Sequence, residues 1–165
     1  HWDHIDGLPL FPNAVVWMQK KDYSYYVTDA WQDGSKPGGI APRTIEHLLK
    51  LNMEGRLKLI DGDNKEIISG ITVYTGSRHT FDSQYMVVGS GKERVVIASD
   101  NIWIYYNLQK MQPPPSYGTM DAAGYIRNMQ RMKTQATQPK LILPGHDEAM
   151  FKLFPAVNER IIRIL

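Results

Sequence analysis

The sequence predicts an α/β (α+β) fold in which a sheet is covered on its outer side by helices. Three observations predict it. Short apolar runs rich in β-branched residues recur at 14–18, 57–60, 67–74, 84–88, 95–98 and 141–143. Between and after them the apolar residues switch to helical spacing, first at Ile45, Leu48 and Leu49, then at Tyr125, Met129 and Met132. The order of strands, then helices, then a strand and a helix is that of a sheet with helices packed outside it.

Taken in order, 14–18 reads as a short buried strand. The polar, aromatic stretch 20–39, with Tyr23, Tyr25, Tyr26 and Trp31, reads as an excursion over the surface, its end marked by Lys36-Pro37-Gly38-Gly39. Residues 44–51 form a helix with Thr44 as its cap. The strands at 57–60, 67–74, 84–88 and 95–98 are separated by the turns Asp61-Gly62-Asp63-Asn64 and Gly89-Ser90-Gly91-Lys92, so hairpins are expected. After Asp100 the pattern is helical over 102–111, stops at Pro113-Pro114-Pro115 and resumes over 121–134. A buried strand at 141–143 and a closing helix complete the chain, the helix starting at Pro155 with Val157, Ile161 and Leu165 on one face. There is no internal repeat and no low-complexity tract.

A chain of 165 residues has room for one domain with a sizeable core, since a domain of ~150 residues buries about 70% of its unfolded surface. Lys plus Arg total 19 against 17 for Asp plus Glu. That balance excludes a strongly basic nucleic-acid groove or membrane-binding face and favours a small-molecule substrate. With no Cys there is neither a disulfide framework nor thiolate chemistry. No apolar stretch approaches the roughly 18 residues of a membrane-spanning helix.

The residues that carry chemistry are concentrated at the start. His1, Asp3 and His4 place three potential metal ligands within four positions. On extended backbone His1 and Asp3 project to the same side, and Asp6-Gly7 allows the chain to turn so that His4 leaves at another angle. Such a cluster suits two adjacent cations better than one. Further candidates stand in isolated places: His79, Asp100 at the end of an apolar run, and His146 after Pro144-Gly145. Imidazole and carboxylate donors without thiolate suit zinc, iron(II), manganese or cobalt. His47 lies on a predicted helix with no partner near it in sequence and is assigned to packing. Gly89-Ser90-Gly91-Lys92-Glu93 lacks the residues of a phosphate loop, and Asp61-Gly62-Asp63-Asn64 the spacing of a calcium loop.

The order His-x-Asp-His, a lone His, an Asp closing a strand, then Gly-His resembles the metallo-β-lactamase superfamily, whose signature reads His-x-His-x-Asp-His. The resemblance runs from His1 to the end and matches six of the seven metal ligands, the first His of the signature lying upstream of His1. It implies an αββα sandwich of which this chain is the C-terminal part. The missing N-terminal segment of the same fold is then expected as a partner, attached or separate, and a homodimer is compatible with the family. It further implies that His1 and His79 serve one divalent ion, that Asp3, His4 and His146 serve a second, and that Asp100 bridges both. The expected cofactor is two divalent metal ions, zinc first, with iron, cobalt or manganese as alternatives. A metal-bridging hydroxide would be the nucleophile, and Asp3 or Asp100 would pass the proton.

Two departures refine this. Where the family commonly has Pro-Gly-His-Thr-Pro-Gly-Ser, this chain has Ser77-Arg78-His79-Thr80-Phe81-Asp82-Ser83, so Arg78 and Phe81 either face the pocket or pack. Asp100 stands where zinc β-lactamases commonly carry Cys, which favours lactonases, glyoxalase II and phosphodiesterases over β-lactam hydrolysis. Within that group Val16-Trp17-Met18-Gln19-Lys20-Lys21-Asp22-Tyr23, Lys58-Leu59-Ile60-Asp61-Gly62-Asp63 and Gly145-His146-Asp147 are similar to the quorum-quenching N-acyl homoserine lactonases. Opening of a lactone ring is therefore the leading expectation. Many lactonases place a lactone-binding Tyr three residues after the bridging Asp, where this chain has Trp103; Tyr105 or Tyr106 would substitute, and Trp2 would line the acyl-chain pocket. Hydrolysis of a thioester, aryl ester or phosphotriester is the alternative, as is a non-catalytic scaffold of the same fold.

Overall fold

The computed structural model describes residues 1–34 and 37–165. They divide into two compact units, His1–Asp61 and Gly62–Leu165. Lys36, expected to mark the end of an excursion, lies outside the described residues.

In the first unit the opening is helical, not extended. α1 (Trp2–Ile5) is one turn in which the amides of His4 and Ile5 both donate to the His1 carbonyl at 3.1 Å. The Trp2 amide donates to the Gly39 carbonyl at 2.8 Å, so a contact distant in sequence selects the turn that local pattern does not predict. β1 (Val16–Gln19) runs parallel to β2 (Leu57–Ile60), with Val16 opposite Leu57. The stretch expected to be a surface excursion begins as α2 (Lys20–Val27), whose Tyr23 and Tyr26 are buried. Two aromatics three positions apart are one face of a helix. α3 (Pro42–Met53) starts at a proline in its first turn, ahead of the expected start. Thr44 is therefore inside the helix and is not its cap. Ile45, Leu48 and Leu51 face inward, whereas Leu49 is exposed. Tyr23, Leu48, Leu51 and Leu57 form the core of this unit, with Ile5, Leu8 and Val16 packed against it.

The second unit is built on a five-stranded sheet. Its strands are β3 (Lys65–Ile68), β4 (Ile71–Thr75), β5 (Gln84–Ser90), β6 (Glu93–Ser99) and β7 (Ile142–Pro144), side by side in that order. All neighbours are antiparallel except β6 and β7. The single strand expected over 67–74 is two, because Gly70 at φ +78° turns the chain there. β5 and β6 form the expected hairpin, with Ser90 opposite Glu93 across Gly91-Lys92. α4 (Tyr105–Lys110) is shorter than the pattern over 102–111 suggests. Residues 101–104 are occupied in a turn off β6, where the Asn101 and Ile102 amides donate back to Ala98 and Ser99. α5 (Ala122–Gln135) is capped by the Asp121 carboxylate, which accepts from the Gly124 amide at 2.8 Å.

One face of this sheet supplies Tyr85, Val87, Val96, Ala98 and Ile142 to a core shared with Tyr125, Met129 and Met132 of α5. Tyr125, Met129, Met132, Val96 and Ala98 have no measurable exposure. At about 1.5–3 kcal/mol for each fully buried large side chain, this layer is the main stabilising element of the unit. The chain ends differently from expectation. α6 (Met150–Leu153) precedes Pro155, and a small antiparallel pair follows it, β8 (Ala156–Asn158) and β9 (Ile161–Ile162). The Asn158 side chain accepts from the Arg160 amide at 2.9 Å, an Asx turn that breaks the helical pattern between Val157 and Ile161. No helix among the described residues is long and apolar enough to cross a membrane. Sheet and covering helices bear out the mixed fold.

Candidate metal centre

β5 is antiparallel to both β4 and β6, and β7 is parallel to β6, so the C-terminal ends of β4, β6 and β7 share one edge of the sheet. Each is followed by one of the expected ligands. His79 lies in the loop after β4, Asp100 directly after β6, and His146 just beyond β7. The structure brings these three together. His79 Nε2 is 3.1 Å from Asp100 Oδ2, and His146 Nε2 lies 3.1 Å from Asp100 Oδ1 and 3.2 Å from Oδ2. The side chains of His79 and Asp100 are 7% and 9% exposed and that of His146 45%. His79 Nδ1 lies 2.8 Å from the Gly118 carbonyl oxygen, which can only accept. Nδ1 is therefore the protonated nitrogen, and Nε2 is the one turned to the carboxylate. That division of roles is the one a metal-ligating imidazole adopts.

The loop after β4 is held to the end of β6 by Asn101, a residue the sequence reading passed over. Asn101 is 1% exposed. Its Oδ1 accepts from the Ser77 amide and the Ser83 hydroxyl, both at 2.9 Å, while its Nδ2 donates to the carbonyls of Gln84 and Ala98. One amide side chain thus ties both ends of the His79 loop to the residue beside Asp100. Gly145 brings His146 close in the same way. A Cβ there would lie 2.7 Å from Asp100 Oδ1 and 2.9 Å from the Ser99 carbonyl, so only glycine admits this approach. Glycine before His146 is visible in the sequence; the role of Asn101 carries no sequence signal, because an Asn after a strand is equally a turn former.

The first unit holds its own group. On the single turn α1, His1 and His4 are three positions apart and lie on one side, which replaces the extended arrangement expected from the alternation of His1 and Asp3. His4 Nε2 is 3.5 Å from Asp3 Oδ2. His1 packs on Gly39, where φ is +75° and a Cβ would lie 2.6 Å from the imidazole ring. Asp6, at the end of the turn, accepts from Thr44 Oγ1 at 2.7 Å and from Arg43 Nη2 at 2.6 Å. These two hydrogen bonds hold its carboxyl below the ordinary value and fasten the ligand turn to the start of α3.

Of the expected substrate contacts, Trp2 and Tyr106 are 62% and 52% exposed. The Tyr105 hydroxyl is buried and has no hydrogen-bond partner; burial, with the Asp147 carboxylate nearby, raises its pKa. Trp103 stands edge-on to His79, ring centres 5.7 Å apart. Arg78 and Phe81 pack on each other, the guanidinium 5.2 Å from the ring centre. Arg78 has φ +57°, in the left-handed region that glycine occupies without strain. His47 lines a shallow pocket on α3 with Ile5, Asp6, Pro9, Arg43 and Thr44. Imidazole nitrogens and carboxylates without thiolate fit a divalent transition metal, and the proton placement on His79 fits it further.

Structural comparison places this arrangement among known folds. A variant of Bacillus thuringiensis AiiA, solved with N-decanoyl-L-homoserine at its active site, matches 98% of this chain at 20% identity and a TM-score of 0.69. An N-acyl homoserine lactone hydrolase with N-hexanoyl-L-homoserine at its catalytic metal centre matches 98% at 19% identity and the same TM-score. AidC, a dizinc quorum-quenching lactonase, matches 84% at 20% identity with a TM-score of 0.58, and a Thermotoga maritima protein named for the metallo-β-lactamases matches 89% at 19% and 0.55. The chain spans 58% of the length of each of the first two, 49% of AidC and 63% of the Thermotoga protein. No protein-family model matches the sequence, and no curated protein does. The chain shares the fold of these solved structures.

Proposed function

We propose that this chain carries the ligands of a dinuclear metal-dependent hydrolase that opens a lactone ring, with N-acyl homoserine lactones as the substrate class. The observation that carries the reading is the Asp100 carboxylate approached within 3.2 Å by the Nε2 atoms of both His79 and His146, at the strand ends of a fold shared with proteins solved with homoserine products. His1 and His79 would hold one ion, Asp3, His4 and His146 the other, and Asp100 would join the two. When bound, two divalent cations polarise an ester carbonyl and acidify the water between them.

The chain's own residues supply the rest. Asp100, between two imidazoles, presents its carboxylate to both nitrogens. Asp3, beside His4, would take the proton of an attacking water and return it to the alkoxide that leaves when the ring opens. Trp2, which is exposed, would offer apolar surface to the acyl chain. The unpartnered Tyr105 hydroxyl offers a donor to a carbonyl oxygen.

The test is direct. Protein stripped with chelator and reloaded with zinc, cobalt or manganese is incubated with acyl-homoserine lactones, and the product is read by mass spectrometry. Ring-opened acyl-homoserine is expected, lost on chelation and restored by metal. Catalytic efficiency should rise with chain length, each buried methylene being worth roughly 0.8 kcal/mol. Metal-replete protein that leaves the lactones intact yet cleaves a thioester, aryl ester or phosphotriester would defeat the lactone assignment and keep the dinuclear centre.

A further inference from the structure

Residues 113–120, which connect α4 to α5, are bonded to the His79 loop at three consecutive residues. The short turn Ser116–Gly118, closed by the Gly118 amide on the Pro115 carbonyl at 2.7 Å, presents the Gly118 carbonyl to His79 Nδ1 at 2.8 Å. Thr119 Oγ1 donates to the Ser77 carbonyl at 3.1 Å, and the Met120 amide to the Arg78 carbonyl at 2.9 Å. Thr119 Oγ1 also accepts from the amide of Asp121, the cap of α5, so the connection is anchored to a long helix at its far end.

Gly118 is buried, and the space a side chain would need is taken. A Cβ at 118 would lie 2.7 Å from Cη2 and Cζ2 of Trp103 and 2.9 Å from Pro114 Cβ. The same Trp103 ring is edge-on to His79 at 5.7 Å and is covered by Tyr117 at 6.0 Å. The imidazole is thus held by a carbonyl at Nδ1 and by an indole against its ring, and absence of a side chain at 118 is what lets both be present.

We propose that residues 113–120 are a positioning strap for His79, in which the Gly118 carbonyl sets the proton and the aim of the imidazole. Gly118 acts through His79 and touches no reacting atom. The inference rests on the reading of His79 as a metal ligand. An ordinary loop would tolerate alanine at 118 with a change in stability only, whereas a strap for one ligand affects one metal more than the other.

The experiment is a metal titration of the whole chain against a chromophoric zinc chelator, paired with the cobalt(II) absorption spectrum. Wild type is expected to bind in two steps. Gly118→Ala should weaken one step 10–100-fold, the cost typical of losing an outer partner of a ligating histidine, and change the cobalt spectrum while the other step stands. Trp103→Leu placed in the Gly118→Ala background makes room for the added methyl and should restore most of the affinity and the spectrum. Should the alanine variant fail to fold, Thr119→Val removes the tether to Ser77 without adding bulk against Trp103, and it should weaken the same single step to a smaller extent. Two unchanged steps in Gly118→Ala or, failing that variant, in Thr119→Val would overturn the strap, as would equal weakening of both steps or a double variant no better than the single. Wild-type protein that binds no transition metal would instead overturn the reading of His79 as a ligand.

Discussion

In Gly62–Leu165 each candidate ligand follows a strand that lends buried residues to the unit, whereas in His1–Asp61 the three lie on or directly before one helical turn with no buried residue. His79, Asp100 and His146 are placed by the sheet itself, then tied by Asn101 and admitted by Gly145. His1, Asp3 and His4 are placed by a single turn whose Ile5 packs on the unit's core and by hydrogen bonds of Asp6 with Thr44 and Arg43 and of Trp2 with Gly39. A single turn is not stable alone, since nucleating a helix fixes several dihedrals for one hydrogen bond. The second group is therefore preorganised by the same contacts that stabilise its unit, and the first in larger part by hydrogen bonds at the margin of its own. Perturbing the first should change metal binding without stability; perturbing the second should change both.

The largest effect is expected at the shared carboxylate. Asp100→Ala should lower metal content, measured by atomic emission, and reduce hydrolysis at least ~100-fold, beyond the usual cost of losing an outer partner of a ligand. Normal turnover with two metals still bound would remove Asp100 from the centre. Asn101→Ala comes next, because it strips the Ser77 amide and the Ser83 hydroxyl of their buried acceptor. A loss of about 2–4 kcal/mol in denaturant unfolding is expected, on the scale of ~1–3 kcal/mol for each buried polar group left unpaired. An undiminished midpoint would mean that the loop is held by something else.

Asp6→Ala makes the complementary cut in the other unit. Zinc titration should show weakened binding while the melting temperature moves far less than in Asn101→Ala. If the melt falls as far, the contrast between the two corners is wrong. A smaller effect follows from Asp63. Burial raises its pKa, but hydrogen bonds from Arg131 and Thr75 outweigh that and leave it below the ordinary 3.8. A depressed carboxylate contributes stability above its unfolded pKa and loses it as pH falls through the folded value. Wild type should therefore exceed Asp63→Asn in stability at neutral pH, and the gap should close as pH falls below about 3.8. The side chain is 42% exposed, so the gap is small. A gap that widens in acid would reverse the assignment. Least of all, His47→Ala should leave metal content unchanged, and a marked loss would show that a ligand had been misplaced.

Periodic burial made much of the fold legible. Tyr125, Met129 and Met132 were readable as one helix face, and 57–60 and 84–88 as strands, because their patterns follow from the side chains that must leave water. The errors fall where apolar pattern and local geometry part company. Val157 and Ile161 fit a helix by spacing but belong to a β pair, since the Asx turn at Asn158 intervenes. Residues 67–74 look continuous until Gly70 turns them. Tyr23 and Tyr26 looked like surface because the residues around them are charged, though they are buried on α2.

For the candidate site, the sequence by itself determined which residues are available: imidazoles and carboxylates with no thiolate, at turns or strand ends, in an order that resembles one superfamily. Only the tertiary structure decided that His4 sits on a one-turn helix preceded by His1, that His79 and His146 both approach the Asp100 carboxylate, and that Asn101 and Gly118 hold the loop around them. The physical reason is that these placements depend on hydrogen bonds between residues far apart in the chain, such as Trp2 to Gly39 and His79 to Gly118, and a local pattern contains no record of them.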